Sequence, residues 1–155
     1  EGHPALGFVP VIAQAVREAL EGGPAYGHPT MDVAAALTDA VVKEGQATEM
    51  AFRIAAMTAV KQGFARAQAM LLEPIMKVEI IAPEEFAGEV MGDFNSRKGK
   101  VEQLLAKGPV RFITGQAPLA EMFGYATALR SLTQGRGTFT LQFNHFGRVE
   151  RREDR

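Results

Sequence analysis

The side chains that most often perform catalysis are few and widely separated in this sequence. Its three histidines, His3, His28 and His145, fall in three different parts of the chain, and it has no cysteine. Disulfides, iron–sulfur clusters and thiolate zinc sites are therefore excluded. The sequence also lacks a G-x-x-x-x-G-K-[ST] phosphate loop, a G-x-G-x-x-G turn and an H-E-x-x-H metal motif. The residue types thus predict no catalytic residue and no metal site.

One acidic pattern and one glycine-rich pattern could still bind a ligand. Glu85, Glu89 and Asp93 are spaced four apart, so on a helix they would share one face. Such a stripe usually faces water, and a metal ion would need further ligands from other elements. The Gly135-Arg136-Gly137 segment could present backbone N–H groups to a phosphate, although a tight turn that requires glycine explains it better.

Cationic side chains occur in local groups, although the chain as a whole is not basic. Its formal net charge is -1, so any contact with RNA would depend on these groups. A solvated protein surface is the more common explanation for such groups. The candidates for facing RNA are Arg97, Lys98, Lys100, Arg130 and Arg136, with Arg148, Arg151 and Arg152 in a charged tail.

The composition indicates a folded globular protein. Of the 155 residues, 46% are hydrophobic and 23% are charged, which is too apolar for a disordered chain. No run approaches the ~18 apolar residues that a membrane span needs. The first residues show no basic region followed by an apolar region, so no secretory signal is visible. We therefore expect a cytoplasmic protein that does not contact a membrane.

Two successive β-α-β patterns between Leu71 and Gly137 would position most of the basic residues. Each has an alternating apolar strand that ends in Ala-Pro, at 82–83 and 117–118, followed by a helical stretch. Two consecutive units of this size predict a split βαβ, ferredoxin-like sandwich. We expect strands at 75–82, 100–106, 109–117 and 137–145, and helices at 84–96 and 119–131. The second helix should face inward with Leu119, Met122, Phe123, Ala126 and Leu129.

The first third of the chain predicts two helices and a single strand. Helical spacing covers 8–21 and 49–66, with Thr48 as the cap of the second helix. Residues 30–37 alternate like a strand, and the polar segment 38–47 should form an exposed tip. One strand cannot satisfy its own edges, so we expect the rest of this domain to lie upstream of Glu1. The open edge of 30–37 should then seek a partner, giving a non-physiological dimer.

Three long segments match a known pattern closely. They read TEMAFRIAAMTAVKQGFARA (48–67), LLEPIMKVEIIAPEEFAGEVMGDFNSRKG (71–99) and PLAEMFGYATALRSLTQGRGTF (118–139). Together they resemble the C-terminal part of bacterial elongation factor G, the GTPase that moves tRNA and mRNA through the ribosome. The resemblance implies an α+β fold: the second half of domain IV, S5-like and incomplete, at 1–73, a ferredoxin-like domain V at 74–146, and a charged tail at 147–155.

This resemblance implies a module that contacts the ribosome rather than an enzyme. In that family, domain IV is a lever whose tip enters the decoding region of the small subunit, and domain V lies near the GTPase-associated region of the large subunit. The expected partners are ribosomal RNA, ribosomal proteins and the A-site tRNA/mRNA region. GTP and Mg²⁺ would bind only in an upstream domain, so the fragment would have no cofactor while its parent is a ribosome-stimulated GTPase.

By the same resemblance, residues 38–49 fall on the tip loop of the lever. This chain reads TDAVVKEGQATE where the family shows a pattern like YDGSYHDVDSSE. Lys43 replaces a functionally prominent histidine, and a lysine ammonium stays charged near neutral pH and can pair with phosphate. An unconstrained loop lysine explains the difference equally well. The candidate ribosome-contacting residues of the tip are Asp39, Val42, Lys43, Glu44 and Gln46.

Two other functions stay open. A divergent paralogue used in ribosome recycling or in antibiotic protection of the ribosome would keep the fold and change the tip. A stand-alone ferredoxin-like enzyme of the acylphosphatase type would need an Arg and an Asn at a phosphate loop between strand and helix. The chain has Ala-Pro-Glu-Glu at 82–85 and Ala-Pro-Leu-Ala at 117–120, which argues against that enzyme.

Overall fold

The computed structural model describes residues 5–43 and 45–148 of the chain. His3, Glu44, Arg151 and Arg152 lie outside the described residues, as does the rest of the chain after Arg148. The chain divides into two units, Glu1–Ala69 and Met70–Arg155.

The first unit is a pair of packed helices, α1 (Val9–Glu21) and α2 (Glu49–Arg66), as predicted. A 3-10 turn precedes α1, and the Thr48 hydroxyl accepts a hydrogen bond from the Ala51 N–H at 3.2 Å, which satisfies one free donor at the start of α2. Arg53 of α2 forms an ion pair with Glu18 of α1. The core of this unit is small, with Ile12, Ala15 and Ala56 buried and with Phe8, Val16 and Phe52 packed around them.

The strand predicted over 30–37 is wrong. Within the described part of the first unit, residues 31–43 form neither helix nor strand. A strand needs a hydrogen-bonded neighbour, and the other elements described here in this unit are both helices. Met31, Val33 and Leu37, which gave the alternating pattern, are 46%, 47% and 52% exposed. The dimer expected through this strand's edge therefore loses its basis.

The inward face of α2 is narrower than its sequence suggests. Phe52, Ala56, Val60 and Phe64, four residues apart, are buried or half-buried, whereas Ala55, Ala59 and Gly63 are exposed. The sequence predicts that both rows of small and aromatic residues face a core. Among the described elements of this unit, α1 and the 3-10 turn before it pack against α2, and together they cover only one row.

The second unit is a four-stranded antiparallel sheet with two helices, as the split βαβ pattern predicts. Its strands are β1 (Leu72–Pro83), β2 (Lys100–Lys107), β3 (Val110–Pro118) and β4 (Thr138–Arg148), in the spatial order β2-β3-β1-β4. The helices α3 (Ala87–Ser96) and α4 (Tyr125–Leu132) follow β1 and β3. This is the ferredoxin-like topology, and the α+β class is confirmed.

The core of the second unit lies between one face of the sheet and the two helices. Alternating residues of β1 and β3 point towards the helices, because successive side chains of a strand lie on opposite faces. Tyr125 meets Phe139 edge-on, with 4.9 Å between ring centroids. The buried cluster contains Val78, Ile80, Ala82, Val90, Phe94, Ile113, Ala117, Met122, Tyr125 and Leu129.

Both predicted helices of this unit begin later than expected. Residues 84–86 and 119–122 form 3-10 turns before α3 and α4. Gly124 has φ +75°, a left-handed conformation that glycine adopts without strain, and it separates the second 3-10 turn from α4. The break turns Phe123 outward, so Phe123 and Ala126, both predicted to face the core, are exposed.

The last strand extends further than predicted. We expected β4 to end at 145 and a charged tail to begin at 147, but Gly147 and Arg148 pair with Glu73 and Leu72 of β1. The register shifts between Ile75 and Met76, where β4 carries one extra residue, a β-bulge. Arg148 therefore belongs to the sheet.

Candidate nucleic-acid interface

The predicted tip is an exposed turn that leads into α2. The Gln46 N–H donates to the Lys43 carbonyl oxygen at 3.1 Å, and Gly45 has φ +75°, which favours glycine at that position. Asp39 accepts a hydrogen bond from the Ala40 N–H at 2.7 Å. Asp39, Lys43 and Gln46 are exposed, and Val42 is half-buried. Glu44 lies outside the described residues, so the structure places four of the five predicted tip residues on one short segment.

The described part of the chain provides no counter-ion for Lys43. Among the described residues it has no ion-pair partner and no side-chain hydrogen bond. An exposed, uncompensated ammonium can pair with a phosphate at little cost, because no existing salt bridge must break.

Arg97 is a structural residue rather than a free surface cation. Its Nε donates to the Asp93 carboxylate at 2.9 Å, and its guanidinium lies 5.3 Å from the centre of the Tyr125 ring. The same guanidinium donates to the carbonyl oxygens of Glu121 at 3.0 Å and Phe123 at 3.4 Å. Its planar fork of donors thus joins the end of α3 to the start of α4.

Two more of the predicted RNA-facing residues already pair with carboxylates. Lys98 contacts Glu121 at 3.1 Å, and Arg136 contacts Glu85 at 2.5 Å. The Arg136 guanidinium also lies 4.9 Å from the centre of the Phe86 ring. An anionic partner would have to compete with these contacts, which for exposed pairs are individually weak.

Of the predicted cations that precede the charged tail, Lys100 and Arg130 stay available. Both are exposed, and neither has an ion-pair partner or a side-chain hydrogen bond within residues 5–43 and 45–148. Arg130 lies in the last turn of α4, where a positive charge also suits the helix dipole.

The five predicted basic residues do not form one patch. Arg97 and Lys98 follow the end of α3 and meet the segment before α4 through Glu121. Arg136 follows α4 and meets the start of the α3 segment through Glu85 and Phe86. The cations therefore divide between opposite ends of the helical layer.

The Gly135-Arg136-Gly137 segment is a tight turn. The Gly135 N–H donates to Arg130 O at 2.7 Å, and the Gly137 N–H donates to Thr133 Oγ1 at 2.7 Å. The Arg136 N–H donates to Thr133 O at 3.0 Å. Because all three N–H groups are used within the protein, this turn has no backbone donor left for a phosphate.

The acidic stripe of α3 does not make a metal site. Glu85 and Asp93 are held by Arg136 and Arg97, and no group of three His, Asp or Glu side chains in the described part of the chain could hold a metal ion. His28 and His145 are exposed and far apart in the sequence. An open groove of about 320 Å³ lies between α1 and α2 in the first unit, beside Glu18, Met57 and Lys61.

Among the described residues, Tyr125 has a strongly raised pKa. Burial raises the pKa of its phenol well above the ordinary value, with a smaller contribution from the Asp93 carboxylate, while Arg97 acts in the opposite direction. Its hydroxyl has no hydrogen-bond partner among the described residues. On the sheet, a hydrogen bond to Glu79 raises the pKa of Lys77. Neither group lies among converging catalytic side chains.

Sequence reasoning missed the most exposed aromatic residue beside this site. Phe123 is 77% exposed. The apolar spacing assigned it to the helix interior, but the following glycine was the available signal, because a glycine next to a helix start permits a left-handed break.

The arrangement defines a class of protein: one without a described catalytic centre, whose exposed cations lie on a ferredoxin-like unit and on the turn that leads into α2. Comparison with known proteins gives a more specific result. The family model for elongation factor G, domain IV, matches residues 4–68, and the model for the elongation factor G C-terminus matches residues 70–155. The chain belongs to the elongation factor G family.

A solved structure is similar to this chain over nearly its whole length. A crystal structure of a protein from Thermus thermophilus is similar to this chain, with 33% sequence identity, a TM-score of 0.79 and 95% of this chain covered. The match spans only 22% of that protein's chain. No helix in the described part of our chain is long and apolar enough to cross a membrane.

Proposed function

We propose that this chain is the ribosome-contacting C-terminal part of an elongation factor G-like GTPase that promotes tRNA and mRNA translocation. It acts as lever and docking module, in the cytoplasm. The observation that carries the proposal is the match of both family segments, which together account for nearly all of the chain. GTP and Mg²⁺ would bind in a part of the parent that precedes these residues.

The second unit would dock on ribosomal RNA through its available cations. Arg130 and Lys100 are exposed and have no ion-pair partner among the residues that the structure describes, so each can neutralise a phosphate and release a counter-ion without breaking a described salt bridge. Arg97 is already engaged by Asp93 and two carbonyl oxygens, so its contribution would be to shape the surface.

Binding of the chain to purified bacterial ribosomes at several salt concentrations tests the docking role. Arg130→Ala should weaken binding and reduce the slope of log K against log salt by about 0.7 to 0.9, the value for one phosphate contact. Lys61→Ala removes an exposed cation from the first unit and is the matched control, with binding expected to stay near wild type. Equal loss in both variants, or no loss in either, would contradict the proposal.

The first unit would act at its tip. The Lys43 ammonium is exposed and lacks a counter-ion among the described residues, so it can contact an RNA phosphate without breaking a described ion pair. The resemblance puts a histidine at this position in most relatives. We infer that the tip keeps an RNA contact while its chemistry differs from theirs.

Lys43→His in the full-length parent tests the role of the tip. Because histidine is mostly neutral near pH 7, the variant should change the rate of ribosome-dependent translocation while GTP hydrolysis stays the same. Lys61→His is the control, because it makes the same substitution at another lysine of the first unit. An unchanged translocation rate would remove the reason to assign Lys43 a role.

A second candidate function is favoured by the same tip. A divergent paralogue that recycles or protects ribosomes would keep both units and alter Lys43 and its neighbours. An assay of subunit splitting beside the translocation assay distinguishes the two. A parent that splits ribosomes and does not translocate would support recycling, and one that restores translation in the presence of an antibiotic without translocating would support protection.

A further inference from the structure

Phe123 is an exposed aromatic residue on a fixed backbone. It is 77% exposed, while Met122 before it is 4% exposed and Tyr125 two residues later is fully buried. A large apolar ring between two buried anchors cannot turn inward, because the anchors already occupy the core. The ring is therefore displayed to solvent by the fold.

Contacts from α3 hold this backbone in place. The Arg97 guanidinium donates to the carbonyl oxygens of Glu121 and Phe123, and Lys98 pairs with the Glu121 carboxylate. Gly124 then takes φ +75° and its carbonyl oxygen accepts the Ala128 N–H at 3.2 Å at the start of α4. Since this segment is already ordered, binding of a partner to Phe123 would cost this chain little conformational entropy.

The surroundings of Phe123 favour an anionic partner. From Met122 to Arg148 the sequence contains no Asp or Glu, while Arg130 and Arg136 lie in this stretch. Arg130 is exposed, has no ion-pair partner among the described residues, and lies on α4 about 7.5 Å along the helix axis from Tyr125, the first residue of that helix. The nearby acids Glu121 and Asp93 are each paired with a cation.

We propose that Phe123 is a stacking platform for an unpaired RNA base, with the adjoining RNA backbone passing along α4 towards Arg130. Aromatic rings that accept a base beside cations that meet phosphates are the usual means of binding single-stranded RNA. This inference rests on the proposed function, because ribosomal RNA supplies the unpaired base. It adds a specific aromatic contact to the cationic docking proposed above.

Substitution at Phe123 separates stacking from a simple apolar contact. The chain with Phe123→Leu and with Phe123→Trp is compared with wild type for binding to purified bacterial 70S ribosomes. Loss of a base stack corresponds to about 1 to 3 kcal/mol, or roughly five-fold or more in affinity, so Phe123→Leu should bind at least that much more weakly. Phe123→Trp should bind as well as wild type. Because the side chain is exposed, thermal unfolding of both variants should match wild type, which excludes a folding defect.

A photo-reactive benzoylphenylalanine at position 123 identifies what the ring touches. Cross-links to ribosomal RNA are expected. Cross-links to ribosomal proteins alone, or equal affinities for the Phe123→Leu and wild-type chains, would overturn the stacking inference while leaving the docking proposal intact. A wild-type chain that does not bind ribosomes at all would overturn both.

Discussion

At the scale of single residues, position in the fold decides what each arginine does. Arg97 and Arg130 occur near the end of similar helical stretches, one in each β-α-β pattern, and the sequence offers both as RNA-facing cations. In the structure, Arg97 is held by Asp93 and by carbonyl oxygens of residues 121 and 123, whereas Arg130 is exposed. The sequence could show that both positions carry a cation. It could not show that Arg97 contacts the segment before α4.

Alanine substitutions should separate the two roles by stability. Arg97→Ala leaves the Asp93 carboxylate and two carbonyl oxygens without their donor, so the free energy of unfolding should fall by about 1 to 3 kcal/mol. Arg130→Ala should change it by less than about 0.5 kcal/mol, as exposed substitutions usually do. Urea unfolding followed by circular dichroism measures both, because the chain has no tryptophan. A larger loss for Arg130→Ala than for Arg97→Ala would contradict these assignments.

The buried phenol of Tyr125 should make stability fall at alkaline pH. Its pKa is raised in the folded state, so its contribution is complete below the unfolded-state pKa of about 10 and declines as the pH rises above that value. Tyr125→Phe should remove this part of the decline. Near neutral pH the variant should be as stable as wild type, or more stable by about 1 kcal/mol, because the hydroxyl has no partner among the described residues. Identical pH profiles of unfolding for both proteins would rule out this role.

At the scale of elements, the periodicity of apolar residues predicted the helices and strands whose formation depends on local sequence. The helices at 9–21 and 49–66 and all four strands of the second unit lie close to where apolar spacing put them. The strand over 30–37 failed because alternation shows only which residues could face a core, while a strand also needs a neighbour to accept its hydrogen bonds. The prediction that Phe123 faces the core was wrong because the left-handed Gly124 after it interrupts the helical spacing.

Two glycines of the second unit should respond in opposite ways to alanine. A Cβ at Gly115 of β3 would meet the Lys100 carbonyl oxygen and lie 2.9 Å from the Phe94 ring, so Gly115→Ala should destabilise by about 1 to 3 kcal/mol or more. Gly92, in the interior of α3, has nothing outside its own helix within 4 Å of such a Cβ, so Gly92→Ala should stabilise by about 0.5 to 1 kcal/mol. Thermal unfolding of the two variants checks the pair. A stabilising Gly115→Ala would show that β2 is not packed against β3 as described.

At the scale of the whole molecule, the two units contribute differently. Among the described residues, the buried core cluster of the second unit has ten members and that of the first unit has three. The exposed apolar residues of the first unit include Met50, Ile54 and Met57 on α2. The ferredoxin-like unit could be predicted from a repeated pattern alone. The docking role could not be predicted in this way, because many functions share that scaffold. It is proposed from the sequence similarity of the long segments and from the family matches.

Site-directed cleavage of ribosomal RNA tests most directly the claim that both units contact the ribosome. The chain has no cysteine, so Lys43→Cys and Arg130→Cys each provide a single attachment point for an iron–EDTA reagent that generates hydroxyl radicals. Lys61→Cys serves as the control. We expect cleavage of small-subunit RNA from position 43 and of large-subunit RNA from position 130, both stronger than from position 61. Cleavage from positions 43 and 130 no stronger than from the control, or none above that of free reagent, would contradict the account.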